Sequence, residues 1–468
     1  MSGKTLVKGT PWKLILSFAM PIMAGNLLQQ LYNTADTIIV GNFVGEAALS
    51  AVGTCSSMTM LYLALAQGFS MGAGILAAQL FGGGKADEMH RLAGTSILLL
   101  TGMGILASSI GAVTAGIFLK YLLGVPDSLL NMAVTYFVIY AMGLIFQFAY
   151  NIAAALLRAV GDSKASLYFL LFSSTVNIAL DLLFVAAFRW SVAGAAIATV
   201  ISQFCCCAAA YRYMQKRYPV FRFRWRDHRF DRAIAISILR TGAPMAIQQG
   251  MVSCGFFLIQ RVVNSYGPAM TASFTVAQRI EGYVLIPPIA LQNTMATYGG
   301  QNFGAGRTDR LVLGLRQAVM LSVGMILCLS ILLFLFPAFV IGFFGIEGIS
   351  LGYCLQHIRF MAFAYLIFAA YFPCLGLFQA VGKGFWATYV STAALGGRVL
   401  FTYTLCRLPV LHYSGLWWSQ PLGWCIAGAM TYIMLNRCVQ IRQTKRRESL
   451  WNIRKRKSAP ITKNIRTR

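Results

Sequence analysis

Gln79-Leu80-Phe81-Gly82-Gly83-Gly84-Lys85-Ala86-Asp87 returns about 222 positions later as Gln301-Asn302-Phe303-Gly304-Ala305-Gly306-Arg307-Thr308-Asp309. The shared pattern, Gln-x-Phe-Gly-x-Gly-(Lys/Arg)-x-Asp, is too specific in spacing to come from two apolar segments that merely share a composition. Pro21-Ile22-Met23 pairs with Pro244-Met245, and Ala159-Val160-Gly161 with Ala380-Val381-Gly382, at nearly the same offset. The register therefore survives along the whole chain, which is how many transport proteins are built. A phosphate-cradling loop would need G-x-x-x-x-G-K-S/T between a strand and a helix, and neither copy has that pattern. Both copies are read as tight turns between helices.

Composition fixes the class of protein to which the repeat belongs. The 468 residues are 58% hydrophobic and only 11% charged, with a formal charge of +26 and a mean hydropathy of +0.66. A soluble domain carries about 25% charged residues, and a disordered chain lacks this apolar content. The fold class expected is an all-α membrane protein, with twelve transmembrane helices in two pseudo-symmetric six-helix lobes. The apolar runs lie at 13–39, 47–81, 92–119, 129–157, 165–188, 192–213, 233–264, 270–303, 311–344, 351–381, 385–405 and 415–436. They are far longer than the ~10-residue alternating strands of a membrane barrel. The division is a lobe at 1–213, a basic linker at 214–232, a second lobe at 233–440 and a basic tail at 441–468, whose last ~20 residues are expected to be disordered.

Six spans separate equivalent points, so each repeat enters the bilayer in the same direction and the lobes are related by an axis along the membrane normal. Lys and Arg concentrate in the linker and the tail, and alternate connections are nearly bare of them. The positive-inside rule then puts both termini and the linker in the cytoplasm, with the chain in the plasma membrane. Attraction to anionic lipid head groups accounts for the basic segments, so no nucleic-acid partner is invoked. The eleven cysteines lack ligand spacing and read as packing residues. Gly68-Phe69-Ser70-Met71-Gly72 matches a hydrolase nucleophile pattern but lies in an apolar helical run, where small residues serve helix packing. No enzyme activity and no cofactor are expected.

Three of the thirteen carboxylates, Asp36, Asp181 and Glu281, fall inside apolar stretches. A carboxylate there costs ~2.5–3.5 kcal/mol on insertion scales, so each needs a role or a wet cavity. Asn26, Gln29, Asn33 and Asp36 share one helical face of span one, and Ser174, Asn177 and Asp181 share one face of span five. Counting ~1.5 Å per residue puts Asp181 and Thr199 at similar depth, with Asp36 at or slightly above them. Two carboxylates with neutral oxygen donors suit a proton or a desolvated sodium ion, so Asp36, Asn177, Asp181 and Thr199 form the candidate coupling site, and the sodium ligands if sodium is used. Tyr136 and Asn151 are candidates for the surrounding polar network, as is Asn33. Glu281, with Gln29 and Gln248, is a candidate for a substrate cleft; the competing reading of Glu281 is a bridge to Arg398 or Arg261. The repeat offset carries Asn177 to Arg398 and Asp181 to Thr402, so the site is expected in the first lobe alone. Pro21, on the same span as Asp36, is the candidate hinge.

The chain resembles the multidrug and toxic compound extrusion (MATE) transporters over about residues 10–440. The resemblance rests on Pro21, Leu31-Tyr32-Asn33-Thr34-Ala35-Asp36, the duplicated Gln-x-Phe-Gly turn and Gly194-Ala195-Ala196-Ile197-Ala198-Thr199. It implies export of cationic amphiphilic compounds in exchange for H+ or Na+. The DinF-like branch pairs an Asp in span one with Asn-x-x-x-Asp in span five and a Thr in span six, which supports Asp36, Asn177, Asp181 and Thr199. NorM-type members carry acidic residues in spans seven and ten, where this chain has none. The implied partners are small organic cations and membrane lipids. A flippase for lipid-linked oligosaccharides and a non-transporting scaffold or receptor are the alternatives.

Overall fold

A computed structural model describes the main chain of residues 3, 5–222 and 230–457, and side chains to residue 437 apart from 33, 35–38, 40, 46, 49, 57, 122, 253, 254, 256 and 257. The side chains of Asn33 and Asp36 and linker residues 223–229 thus lie outside the described residues. The described chain is helical and contains no strand.

The first lobe comprises α1 (Pro11–Val44), α2 (Glu46–Gly82), α3 (Ala86–Ile117), α4 (Asp127–Met142), α5 (Leu144–Ala159), α6 (Ser163–Asp181) and α7 (Ser191–Arg217). The second comprises α8 (Arg232–Ser265), α9 (Pro268–Val284), α10 (Ile286–Gly304), α11 (Thr308–Leu335), the short α12 (Pro337–Gly342), α13 (Gly348–Ala380), α14 (Gly384–Leu405) and α15 (Gly415–Lys457). These make twelve spans in two lobes once two pairs are joined and the six-residue α12, too short to span, is set aside. The fourth span is α4 plus α5, bent by 44° at Gly143, where a Cβ would lie 2.8 Å from Val200 Cγ2. The eighth is α9 plus α10, interrupted at Leu285, where Pro287 and Pro288 remove two backbone donors at the start of the new helix. Seven helices, and the bent α4–α5 pair as an eighth, are apolar enough to cross a membrane on composition alone. Among the others, α8, α9, α14 and α15 carry more polar and charged residues, several of them buried.

Helix α15 runs through Lys457, past the expected end of the last span and into the stretch expected to be disordered. No Gly or Pro interrupts the sequence between Gly428 and Pro460, and its Lys, Arg, Gln and Glu residues are good helix formers.

Each lobe has its own apolar core, one around Phe137, Phe148 and Leu157, the other around Tyr365, Phe368 and Phe378. Helix α1 breaks this division. Its first turns, with Leu6 before them, bury Ile15, Phe18 and Ala19 against Leu291, Met295 and Tyr298 of the second lobe. The repeated turns also share backbone conformation, since Gly84 and Gly306 have φ of 72° and 70°, a region that favours glycine.

The lobes meet along seams of small residues. A Cβ on Gly68 would lie 2.5 Å from Ala246 Cα, and one on Gly72 would lie 2.6 Å from Gly242 Cα, so the G-x-S-x-G pattern is a helix-packing surface between α2 and α8. The two Gln-x-Phe-Gly copies cross each other. A Cβ on Gly82 would fall 1.9 Å from the Gln301 carbonyl oxygen, and one on Gly304 would fall 1.9 Å from that of Gln79. On this face, called the turn face below, the lobes are in backbone contact.

Candidate functional site

Helix α6 delivers the first group of candidates. Its apolar residues seat it against α1 and α7, and its only buried polar positions beyond the first turn are Asn177 and Asp181. These are 1% and 0% exposed, and Thr199 on α7 is 7% exposed. The Asn177 Nδ2 and Thr199 Oγ1 positions lie 3.4 Å apart. With its amide turned so that nitrogen meets acceptor, Asn177 donates to Asp181 Oδ2 at 2.8 Å and accepts from the Thr199 backbone N–H at 3.3 Å. Thr199 Oγ1 donates to the Ala195 carbonyl at 3.0 Å, which leaves the oxygen facing Asn177 with acceptor capacity. One turn away, Ser202 Oγ donates to the Thr199 carbonyl and Ser173 Oγ to the Ser202 carbonyl, so hydroxyls join α6 to α7. The structure thus brings Asn177, Asp181 and Thr199 into one buried oxygen-rich group. At Asp181 the α-helix passes into a π-helical turn, 182–187, a geometry that often marks functional positions.

The side chains of Asn33 and Asp36 lie outside the described residues, but the main chain of α1 gives their level. A Cβ on Gly25 would lie 3.7 Å from Leu170 Cδ2 and 4.0 Å from Leu167 Cδ1 of α6. Eleven residues further on in both parallel helices, ~16 Å along the axis, main-chain position 36 comes level with 178–181. Helix α1 also packs against the π-helical turn that follows Asp181. Pro21 is buried in an α1 that runs unbroken from Pro11 to Val44.

The remaining first-lobe candidates are spread more widely. Tyr136 is buried on α4 and stacks on Tyr140, with centroids 6.2 Å apart. Asn151 Nδ2 donates to the Gln147 carbonyl of its own helix at 2.8 Å. Gln29 is half-buried on α1. Its neighbour Gln30 places Nε2 3.4 Å from where a Gly282 Cβ would be, so α1 reaches the break between α9 and α10. Gln248 on α8 donates to Ser391 Oγ of α14 at 2.7 Å, within the second lobe.

Glu281 lies next to Gly282, four residues before the break at Leu285, and is buried at 8% exposure. Its Oε1 accepts a hydrogen bond from Gln420 Nε2 of α15 at 2.5 Å, and the buried Arg398 guanidinium of α14 attracts it electrostatically. The bridge reading named Arg398 but missed Gln420. The signal was present in the sequence: Gly194 in the first turn of α7 corresponds to Gly415 at the start of α15, and the same offset carries Thr199 onto Gln420. His357, also missed, is buried beside them between Phe274 and Trp417, with centroids at 5.9 and 5.8 Å. No group of three His, Cys, Asp or Glu residues suited to a metal ion occurs among the described residues.

On the turn face the repeated glutamines are exchanged. Gln79 Nε2 donates to the Ala380 carbonyl at 2.7 Å, and Gln301 Nε2 donates to the Ala159 carbonyl at 2.8 Å. Gln301 Oε1 also accepts from Leu6 N–H at 2.7 Å. Asn302 Nδ2 donates to the Leu6 carbonyl at 3.3 Å, and Arg310 donates to that of Gly9 at 2.8 Å. The segment before α1 is thus strapped to the second lobe.

The chain matches the MatE family over residues 21–183 and 244–404, one stretch in each lobe. Probable multidrug resistance protein YpnP of Bacillus subtilis (strain 168) is 30% identical over 453 residues, which cover 90% of this chain and 99% of that protein. Multidrug export protein MepA of Staphylococcus aureus (strain NCTC 8325 / PS 47) is 21% identical over 436 residues, covering 92% and 95% respectively. Among solved structures, the outward-facing conformation of a multidrug resistance MATE family transporter of the MOP superfamily aligns with a TM-score of 0.89 at 23% identity, over 95% of this chain and 99% of that one.

Proposed function

Because the chain belongs to the MATE family of membrane transporters, we propose that it is a secondary antiporter that expels cationic amphiphilic compounds in exchange for protons or sodium ions. The observation that carries the reading is Asp181: a carboxylate with no exposed surface, inside an apolar lobe, held by Asn177 beside Thr199. Such a group is costly in a membrane protein unless it is neutralised by a proton, a cation or a partner. Asp36, level with it along α1, is the second carboxylate of the site. Like charges brought together there favour uptake of one positive charge from outside the membrane.

In this reading the turn face is cytoplasmic, both termini lie on that side, and the protein sits in the plasma membrane. The conformation closed by Gln79 and Gln301 is then the one that faces outward. Charge uptake at Asp36 and Asp181 changes the packing of α1 on α6, and Pro21 lets α1 bend. Because the first turns of α1 are packed on the second lobe, bending is transmitted across the lobe boundary. The substrate cleft lies between the lobes, with Gln29 of α1 and Gln248 of α8 as its polar contacts. Glu281 is held within the second lobe by Gln420, which supports its structural role over a substrate-binding one. Arg398, which would suit the pyrophosphate of a flippase substrate, is buried beside Glu281. Efflux of a cationic dye from proteoliposomes under an imposed sodium or proton gradient tests the proposal. Efflux driven by one gradient supports it, and efflux indifferent to both overturns it.

A further inference from the structure

The offset of about 221 residues carries Asn177, Asp181 and Thr199 onto Arg398, Thr402 and Gln420. The helices agree with it, since α6 begins at Ser163 and α14 at Gly384. All three second-lobe counterparts are buried, Thr402 completely and Gln420 at 2% exposure. The position of the first-lobe group therefore recurs in the second lobe with different chemistry. Where the first lobe has an Asn–Asp pair, the second has a guanidinium and a hydroxyl, and Thr402 Oγ1 donates to the Arg398 carbonyl at 2.8 Å. The carboxylate comes from elsewhere, Glu281 on α9, which Gln420 holds through its amide nitrogen.

Packing directs Arg398 to this spot. Gly423 lies one turn beyond Gln420, and a Cβ there would fall 3.2 Å from Arg398 Cβ and 2.5 Å from the Ala394 carbonyl, so α14 and α15 touch where the guanidinium leaves its helix. His357, between Phe274 and Trp417, closes the group on α13. Glu281 and Arg398 are both only 8% exposed. A carboxylate so buried is stabilised by a positive charge beside it, here the Arg398 guanidinium that attracts it, and a guanidinium keeps its charge at every physiological pH.

We propose that Arg398 is a tethered cation: it fills, with the chain's own guanidinium, the second-lobe position that corresponds to the first-lobe ion site. This lobe then takes no ion from solution, and exchange is confined to the first lobe. Removing the guanidinium would turn Glu281, Thr402 and Gln420 into a binding site for a small cation. The inference rests on the reading of Asn177, Asp181 and Thr199 as an ion site only for the word ion; the filled position is testable without transport.

The experiment is thermal unfolding of the purified full-length protein in detergent, titrated with guanidinium chloride at low millimolar concentration, with tetramethylammonium chloride as the control. In Arg398→Ala the midpoint is expected to rise by about 2 °C with guanidinium, as for a ligand that binds only the folded state. The unsubstituted protein and Glu281→Gln/Arg398→Ala are expected to show no rise. No rise in folded Arg398→Ala, or an equal rise in the unsubstituted protein, overturns the proposal. If Arg398→Ala alone does not fold, recovery of folded protein in Glu281→Gln/Arg398→Ala supports the pairing, and no recovery overturns it. Failure of the first-lobe ion-site reading would appear separately, as gradient-driven efflux that survives Asp181→Asn.

Discussion

Gln79 and Gln301 are each other's counterparts in the repeat, and each donates its side-chain amide to the opposite lobe, to the carbonyls of Ala380 and Ala159. Those acceptors are themselves repeat equivalents, so the closure of the turn face is a two-fold exchange of one contact. Two hydrogen bonds at about 1 kcal/mol each give about 2 kcal/mol, roughly a 30-fold bias toward the closed state. In Gln79→Ala/Gln301→Ala, spin labels at the exposed positions Lys85 and Arg307, in a cysteine-depleted background, should show a longer-distance population that the parent lacks. An unchanged distance distribution would mean that these bonds do not hold the face shut.

Gly82 and Gly304 allow the two turns to cross in backbone contact. A methyl group 1.9 Å from a carbonyl oxygen cannot be absorbed by a side-chain shift, because the obstacle is main chain. Gly82→Ala or Gly304→Ala should cost about 1–3 kcal/mol of stability in the closed form, as over-packing does elsewhere. A lower unfolding midpoint in detergent is the expected result for each. Gly102→Ala is the control, since a Cβ there meets no atom within 4 Å.

Asp162 ends the turn between α5 and α6 and serves three donors. Its Oδ1 accepts from the Ala165 backbone N–H at 3.1 Å, and its Oδ2 accepts from the hydroxyls of Tyr213 at 2.9 Å and Tyr218 at 2.7 Å. Asp162→Ala removes a helix cap, about 1 kcal/mol, and two hydrogen bonds to a charged acceptor at about 1.5 kcal/mol each, together about 4 kcal/mol. Asp162→Asn retains a capping oxygen and should recover part of that loss. Comparing the melting of the two variants with that of Tyr213→Phe/Tyr218→Phe separates the cap from the tyrosine contacts.

The architecture was legible because a bilayer leaves few choices. Apolar runs of more than 20 residues must be helices, and the duplicated turn orders them into two lobes. The grouping of Asn177, Asp181 and Thr199 was legible because helical rise fixes depth. Side-chain reach was not. Asn177 and Gln79 look alike in sequence, yet one meets a carboxylate in its own lobe and the other a carbonyl across the lobe boundary. One partner of Glu281 was missed for the same reason: charge pointed to Arg398, which does attract it, but the hydrogen bond comes from the neutral Gln420, 139 residues away in sequence. The breaks at Gly143 and Leu285 were hidden inside continuous apolar runs, although Pro287 and Pro288 marked the second.

The central claim is that the first-lobe carboxylates take up the coupling charge. Dye efflux from proteoliposomes, with the sodium and proton gradients imposed one at a time, tests it in the unsubstituted protein, Asp36→Asn and Asp181→Asn. The expected result is efflux driven by one of the gradients and reduced in both variants to the rate of empty vesicles, with both proteins melting as single folded species. Efflux that stays gradient-driven in both variants would contradict the claim.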